Sequence, residues 1–308
     1  MLDVRRMKVL REVAAQGSFS AAAEALSFTQ SAVSQHVAAL ERECGAKLVE
    51  RGPRGVRLTD AGRALVSHAD AILARLDRAE EELAAIAGLR GGRLRLACFQ
   101  SAGATLVPRA VKVFHDRHPD VDLSMVEAEP DVASERLHSG DIDLALVYDF
   151  PRIPGMLDGE LELTRLIEDP YDVILPKGHP LADKRRLRVS DMAEEPWIAS
   201  SDDWGCRVIT NRICQDAGFE PRIAFEADET LAAQALVAAG VGVTMLPRLA
   251  LATVHPSVVV RKLSDAPVRN IWGAQLPADY ASPASEAMLQ ILQDVAEDFR
   301  DAPLELAS

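Results

Sequence analysis

The feature that most constrains this chain is a pair of short helical patterns separated by a polar break, within residues 17–41. Ser18 and Thr29 each stand where a helix N-cap is expected, one before each pattern. The second pattern has apolar residues at helical spacing. These residues are Val33, Val37 and Leu40. Two such helices around a tight turn are typical of a DNA-reading helix-turn-helix, although a solvated face of an ordinary helix pair gives the same isolated pattern.

Because the apolar residues of the second helix point inward, its polar side chains lie on the opposite face. This candidate DNA-contact set is Thr29, Gln30, Ser31, Ser34, Gln35 and His36. Hydroxyl, amide and imidazole groups of this length suit base edges and phosphates. We therefore expect this face to enter a groove of DNA.

A basic hairpin is predicted directly after the second helix. Gly45 ends that helix, and residues 47–58 have the pattern of two short strands around a Gly-Pro-Arg-Gly turn. Arg51, Arg54 and Arg57 lie on or beside this turn, where a cation can enter a minor groove or pair with phosphates. The segment is interpreted as a wing, with a solvated charged turn as the alternative.

Charge is distributed unevenly along the chain. The whole protein has 34 Lys and Arg against 47 Asp and Glu, a net charge of −13, which by itself argues against a nucleic-acid partner. Residues 1–60 have nine Lys and Arg against seven Asp and Glu, a net of +2, which leaves −15 for the rest. A basic head on an acidic body can approach DNA by its head alone.

A long helix is predicted after Thr59, because residues 60–89 are rich in Ala, Leu, Arg and Glu. Apolar residues spaced alternately by four and three form a heptad seam. The candidate dimerisation residues on this seam are Leu65, Ala69, Ile72, Leu76, Leu83 and Ile86. Such a seam is buried only against a partner, and two heads could then read two half-sites. A single helix packed on its own domain is the alternative.

An α/β domain is expected after the glycine-rich hinge at residues 88–92. Strand and helix patterns alternate, which predicts a mostly parallel sheet, and the alternation restarts to give two half-domains around a cleft. Strands are predicted at 93–99, 121–126, 142–147, 172–175 and 241–246, and helices at 104–117, 131–139, 206–217 and 229–239. Ser101, after the first strand, could hold an anion with the next helix start or simply cap that helix.

Several motifs carry a family resemblance. They are Gly17-Ser-Phe-Ser-x-Ala-Ala, Gln30-Ser-Ala-Val-Ser, Leu40-Glu, Leu48-x-Glu-Arg and Leu58-Thr-x-Ala-Gly62. In this order they resemble the winged helix-turn-helix of LysR-type transcriptional regulators. Two departures are Ser31, where Pro is frequent, and Val49, where Phe is frequent. Downstream, His115-x-x-His-Pro119-x-Val, Ser139-Gly-Asp-Ile-Asp143-Leu-Ala, Lys177-Gly-His-Pro-Leu-Ala182 and Ala239-Gly-Val-Gly-Val-Thr-Met-Leu-Pro247 resemble the effector-binding domain of that family.

The resemblance implies a fold class: α/β with an N-terminal winged helix-turn-helix, a long linker helix and a two-lobed, periplasmic-binding-protein-like effector domain. The expected divisions are a head at 1–59, a linker and hinge at 60–90 and an effector domain at 91–302. Lobe one would take 91–164 and 268–302, and lobe two 165–267.

The resemblance also implies roles for named residues. Gln30, Ser31, Ser34 and Gln35 would contact DNA from the recognition helix, and Arg51 and Arg54 from the wing. The candidate effector-binding residues are Phe99, Gln100, Ser101, Glu129, Tyr148, Ser200, Ser201, Asp228 and Thr230.

The implied partners are double-stranded promoter DNA, a small-molecule effector, a second copy of the chain in a dimer or tetramer, and RNA polymerase. No cofactor is implied.

Other function classes find little support in the sequence. It has no G-x-S-x-G elbow, H-E-x-x-H helix or Walker loop, so we expect no enzyme, and His115 and His118 lack the further ligands of a metal set. A start without a signal-peptide pattern, four cysteines and no long apolar run predict a cytoplasmic protein away from membranes. A thiol-based redox-sensing regulator using Cys206 and Cys214 and a cytoplasmic solute-binding protein are the alternatives.

Overall fold

A computed structural model describes residues 2–52, 55–86, 92–184, 186–201, 205–277 and 281–301. The N-terminal head begins with three helices, α1 (Val4–Gln16), α2 (Phe19–Ala25) and α3 (Gln30–Cys44). The hydroxyl oxygens of Ser18 and Thr29 accept hydrogen bonds from the first turns of α2 and α3, so both predicted N-caps are confirmed. The inward residues of α3 are buried with α1 and α2 in one core.

The predicted wing is an antiparallel hairpin of β1 (Val49–Gly52) and β2 (Gly55–Leu58). The amide of Val56 donates a 2.9 Å hydrogen bond to the carbonyl of Gly17, so the wing is attached to the turn between α1 and α2. Gly55 has a φ of +116°, and a Cβ there would lie 2.7 Å from the Gly17 carbonyl oxygen. Both the backbone conformation and the close approach therefore require glycine at this position.

The long helix is α4 (Asp60–Ile86), and Thr59 caps it by accepting a 3.0 Å hydrogen bond from the amide of Gly62. Its predicted seam is divided. Leu65 and Ala69 are buried in the core of the head, so their assignment to a dimer interface is wrong. Ile72, Leu76 and Leu83 are 38, 44 and 65 % exposed. The side chain of Ile86 and hinge residues 88–91 lie outside the described residues.

The remaining elements form two lobes. The strands are β3 (Arg93–Cys98), β4 (Asp122–Glu127), β5 (Leu144–Asp149), β6 (Glu162–Pro176), β7 (Pro196–Ala199), β8 (Arg222–Glu226), β9 (Thr244–Pro247), β10 (Val258–Lys262) and β11 (Val268–Gln275). The helices are α5 (Gln100–Gly103), α6 (Leu106–Arg117), α7 (Pro130–His138), α8 (Gly205–Asp216), α9 (Thr230–Ala238) and α10 (Pro283–Asp301). Lobe one contains β3, β4 and β5, the crossing strand β11, and helices α5, α6, α7 and α10. Lobe two contains β7 to β10 with α8 and α9, and β6 runs through both lobes.

The main sheet has the order β10-β6-β11-β5-β3-β4, with β9 also paired to β6. β3 is parallel to β4 and β5, whereas β6 and β11 pair antiparallel with their neighbours. The sheet is therefore mixed, and the mostly parallel sheet predicted from the sequence is wrong in this respect. β6 and β11 run antiparallel to their neighbours because they connect the two lobes, whereas the second strand of a β-α-β unit would run parallel to the first.

The linker helix approaches lobe one closely at Gly140. Gly140 follows α7 with a φ of +70°, and a Cβ there would lie 2.3 Å from the Cβ of Ala74 in α4. Asp70, one turn earlier on α4, lies 3.8 Å from the guanidinium of Arg11 in the head. One stretch of α4 therefore contacts both the head and the effector domain. Within the described ranges, no helix combines the length and the apolar composition needed to cross a membrane.

Candidate functional site

The polar face of α3 is open to solvent. Gln30, Ser31 and Gln35 are exposed, as their spacing predicted, whereas Ser34 and His36 are partly buried. Thr29 Oγ1 accepts a 3.2 Å hydrogen bond from the amide of Ala32 and lies 3.0 Å from Ser31 Oγ. Thr29 therefore caps the start of the helix and orients its neighbour, while the exposed side chains of Gln30 and Gln35 point to solvent.

Basic groups lie around this face. Lys47 pairs with Glu41 at 2.8 Å, and Arg6 pairs with Glu43, so both of these cations are partly balanced by the head itself. Arg57 on β2 is exposed. Arg54 and the side chain of Arg51, both predicted wing contacts, lie outside the described residues. The described basic surface therefore runs from α3 to the wing.

A second site lies between the two lobes, beside the end of β3, where a cavity encloses about 70 Å³. The structure places eight of the nine predicted effector residues on its wall. These are Phe99, Gln100, Ser101, Glu129, Tyr148, Ser200, Asp228 and Thr230. Ser201 does not line the cavity, because its amide and hydroxyl donate hydrogen bonds of 2.8 and 3.0 Å to Asp228 Oδ1. Ser201 therefore holds Asp228 in place.

Sequence reasoning missed several residues of this cavity. They include Tyr171, Cys206, Thr210, Thr244 and Arg269. Arg269 carried a usable signal, since a charged residue inside the otherwise buried strand β11 must find a partner. Cys206 was considered only as a redox residue, and the remaining three gave no signal, because they come from three elements, β6, α8 and β9, that only the fold brings together.

Arg269 is fully enclosed and bound by three hydrogen bonds. Its Nε and Nη2 donate to Asp169 Oδ2 at 2.9 and 2.8 Å, and Nη2 also donates to Ser101 Oγ at 2.6 Å. The guanidinium carbon lies 4.7 Å from the ring centre of Phe99 and 5.0 Å from that of Tyr148. Burial is the largest single influence and disfavours the charge, but Asp169, together with Tyr171, Cys206 and Tyr148, outweighs it and raises the pKa of Arg269. One part of the cavity wall is therefore formed by an arginine whose charge is already balanced by Asp169.

Glu129 and Tyr148 form another part of the cavity wall. The hydroxyl of Tyr148 donates a 2.7 Å hydrogen bond to Glu129 Oε2. Burial raises the pKa of Glu129, against the lowering effects of this hydrogen bond and of Arg269. Desolvation of the carboxylate is thus the dominant influence on this side of the cavity.

Contacts between the lobes close the cleft. Gln100 in lobe one donates to Glu229, and the hydroxyl of Thr230 donates a 3.2 Å hydrogen bond to Gln100 Oε1. Arg152 and Asp216 form a second link between the lobes at 3.0 Å. Because each link spans the cleft, a ligand that alters the lobe separation must change them.

The cysteines differ in surroundings, and none is in a disulfide. Cys206 lines the cavity, with its Sγ 3.8 Å from the hydroxyl of Tyr148 and 3.5 Å from that of Tyr171. Cys214 is fully buried, which raises its pKa to about 12. Near neutral pH Cys214 therefore stays a thiol and does not offer Cys206 a reactive thiolate.

A group of potential metal ligands lies on the surface of lobe one. His138 Nε2 is 2.6 Å from Asp158 Oδ2, and the ligand atoms of His138, Asp158 and Glu160 all lie within 4.8 Å of one another. The pKa of Asp158 is lowered by a backbone hydrogen bond from Glu160 and by His138. These contacts describe a hydrogen-bonded histidine–carboxylate pair beside α7.

A winged helix-turn-helix head, a long connecting helix and a two-lobed domain with a polar cleft together define the class of DNA-binding regulators that carry their own ligand-binding domain. The family models agree with this class. "Bacterial regulatory helix-turn-helix protein, lysR family" matches residues 4–63, and "LysR substrate binding domain" matches residues 87–297. The chain belongs to the LysR family of transcriptional regulators.

Relatives along the whole chain support this assignment. The probable HTH-type transcriptional regulator LrrA of Synechococcus elongatus is 31 % identical over 97 % of this chain and 99 % of the relative. The regulator AlsR of Bacillus subtilis is 27 % identical over 94 % of this chain and 95 % of its own length.

Two solved structures share the fold. The LysR family regulator CbnR aligns with a TM-score of 0.66, covering 96 % of this chain and 99 % of its own, at 22 % identity. A full-length OxyR variant from Pseudomonas aeruginosa aligns with a TM-score of 0.71, covering 99 % and 96 %, at 20 % identity. At these identities the likeness concerns the fold alone.

Proposed function

We propose that this regulator binds promoter DNA through α3 and the wing, and that a small molecule in the cleft between the lobes controls that binding. The observation that carries the proposal is the separation of the two sites within one chain. The head completes its own core and leaves the polar face of α3 exposed, whereas the cleft lies in the other domain. α4, which contacts both domains at Arg11 and Gly140, is the physical connection.

Self-association is proposed through the half of α4 that the head does not cover. Ile72, Leu76 and Leu83 are exposed apolar residues on this helix, and a second copy of the chain would bury them. A dimer or tetramer would present two heads to two half-sites. The CbnR structure has also been solved in complex with its target DNA, which supports the same role for this head.

The proposed divisions of the chain are a head at 1–59, a linker at 60–90 and an effector domain at 91–302. In this scheme Arg51 and Arg54 contact phosphates or the minor groove, and the eight cavity residues with Ser201 form the effector site. RNA polymerase is the proposed downstream partner, since a regulator of this class alters transcription through the enzyme that starts it.

The test is electrophoretic mobility shift of the full-length protein on duplex DNA from the region upstream of its own gene. We expect unrelated duplex DNA to be a poor competitor for this binding, and we expect the affinity to fall steeply as the salt concentration rises. Equal affinity for promoter and unrelated DNA at every salt concentration would contradict the proposal. Analytical ultracentrifugation of wild type and Leu76→Glu tests the self-association, which the added charge is expected to abolish.

A further inference from the structure

Hydrogen-bond accounting at Arg269 leaves two donors unused. A guanidinium has five N–H groups, and three of these are bound to Asp169 and Ser101. The two on Nη1 have no hydrogen-bond acceptor among the residues that the structure describes. Arg269 Nη1 is not among the side-chain atoms of the described residues that are sealed off from solvent without a partner. Since Arg269 is 2 % exposed and lines the cavity, these N–H groups face it.

Glu129, which also lines the cavity, has an unused acceptor. Its Oε2 accepts the hydrogen bond from Tyr148, whereas Oε1 accepts none from the described residues. Burial raises the pKa of Glu129, because the hydrogen bond from Tyr148 and the charge of Arg269 offset only part of the cost of desolvating the carboxylate. An ammonium group at Oε1 would supply both the missing hydrogen bond and the missing charge.

A third unused group lines the same cavity. Thr244 on β9 is 3 % exposed and lines the cavity, yet its hydroxyl makes no hydrogen bond to any described residue. Buried hydroxyls in proteins normally have a partner. A cavity with an unused donor pair, an unused acceptor and an unused hydroxyl is built for a ligand with complementary groups at both ends.

We propose that the effector is a small zwitterion, a short α-amino acid of the size of glycine, alanine or serine. Its carboxylate binds Arg269 Nη1, its ammonium binds Glu129 Oε1, and the hydroxyl of Thr244 contacts the same molecule. This proposal rests on the proposed function, because it names the ligand of the same cleft. The size follows from the 70 Å³ enclosed, roughly half the volume of about 150 Å³ that accommodates benzene in an engineered cavity.

The charges argue against a ligand with only one of the two groups. Asp169 already balances the charge of Arg269. A carboxylate alone would therefore add an uncompensated negative charge near Glu129, and it would leave Glu129 Oε1 without a hydrogen bond. An amine alone would leave the N–H groups of Nη1 without an acceptor. Each half-ligand therefore loses one charge-assisted hydrogen bond in a buried site.

The experiment compares L-alanine with its two halves, propionate and ethylammonium, on the full-length protein, by isothermal titration calorimetry and by the thermal unfolding shift. Glycine and L-serine complete the panel. We expect L-alanine to bind about tenfold or more tightly than either half. Equal binding of propionate or ethylammonium, or no binding of any of the three amino acids at millimolar concentration, would overturn the proposal.

Glu129→Gln keeps the size of the side chain and an acceptor for Tyr148, but removes the charge. In this variant L-alanine should bind no better than propionate does. Glu127→Gln is the matched control, since Glu127 is exposed two residues earlier on β4, and it should bind L-alanine as the wild type does. Wild-type affinity for L-alanine in Glu129→Gln, with a native circular dichroism spectrum, would contradict the ammonium site.

The same preparations are tested for promoter DNA by mobility shift. A protein that binds its promoter specifically but none of the amino acids overturns the zwitterion alone. A protein without specific DNA binding overturns the proposed function, whatever the calorimeter shows.

Discussion

Arg269 and Asp169 form an ion pair whose side chains are 3 and 2 % exposed, with 2.8 Å between Arg269 Nη2 and Asp169 Oδ2. The pair joins β11 to β6, and Asp169 Oδ1 also accepts a 3.1 Å hydrogen bond from the amide of Leu249 in lobe two. Ser101 in lobe one accepts from the same guanidinium. One buried pair therefore connects both lobes beneath the cavity.

Asp169→Asn should destabilise the effector domain by about 3–5 kcal/mol, because it leaves a buried guanidinium without its counter-charge. Urea unfolding followed by tryptophan fluorescence measures this loss. Glu168→Gln is the control, since the Arg165–Glu168 pair next to it is solvent-exposed and should contribute only about 0–1 kcal/mol. Equal unfolding free energies for the two variants would contradict the prediction that loss of the Asp169 charge destabilises the domain more than loss of an exposed charge.

Gly140→Ala should separate the linker helix from lobe one. Its φ of +70° is unfavourable for alanine, and the new Cβ would lie 2.3 Å from the Cβ of Ala74. Gly178→Ala is the matched control, with a φ of +84° and no atom within 4 Å. The difference in unfolding free energy between the variants isolates the steric effect, which we expect to be about 1–3 kcal/mol. If the two lose the same stability, the contact with α4 is loose in solution.

Gln35→Ala should weaken binding to the promoter by about 1–3 kcal/mol and relax sequence preference at one position, if the amide reads a base edge. Its salt dependence should stay that of the wild type. Arg57→Ala should instead weaken binding to all duplexes and reduce the salt slope by about one. Gln215→Ala in α8 should change neither property, and mobility shifts at several salt concentrations separate these outcomes.

Glu129→Gln should gain stability relative to the wild type as the pH rises. The raised pKa of Glu129 means that the folded state holds the proton more tightly than the unfolded state. The wild-type side chain therefore contributes its stability below its unfolded pKa and loses it as the pH rises through the folded value. Thermal unfolding across pH should show the two proteins converging at acidic pH and the variant ahead near neutrality. A difference that is constant with pH would contradict the shift.

Native-state alkylation should distinguish the cysteines. Burial raises the pKa of Cys98 to about 11 and that of Cys214 to about 12, so neither is a thiolate near neutral pH. Cys44 and Cys206 are only partly buried. Brief treatment with iodoacetamide and mass spectrometry should modify Cys44 and Cys206 first. Rapid modification of Cys214 would favour the redox-sensing alternative. So would a promoter response to peroxide that is present in the wild type and lost in Cys214→Ser.

The sequence predicted the local elements well where their signals are local. The N-caps at Ser18 and Thr29, the helix end at Gly45 and the inward residues of α3 all depend on neighbours a few positions away, and all are confirmed. Errors arose where distant partners decide. Leu65 and Ala69 fit a heptad seam, but the head provides their apolar surroundings, and spacing alone cannot distinguish a core in the same chain from one in a second copy.

The sequence by itself therefore determined the order of the domains, the polar face of α3 and most of the cavity residues that follow strand ends. Only the tertiary structure decided that Arg269 and Asp169 are paired, that Thr244 and Cys206 join the same cavity, and that α4 meets Gly140. These groups are separated along the chain by tens of residues, and their contacts depend on how β6 and β11 return through both lobes. Periodicity and capping report only on neighbours within a few turns, so such contacts are fixed by packing of the whole domain.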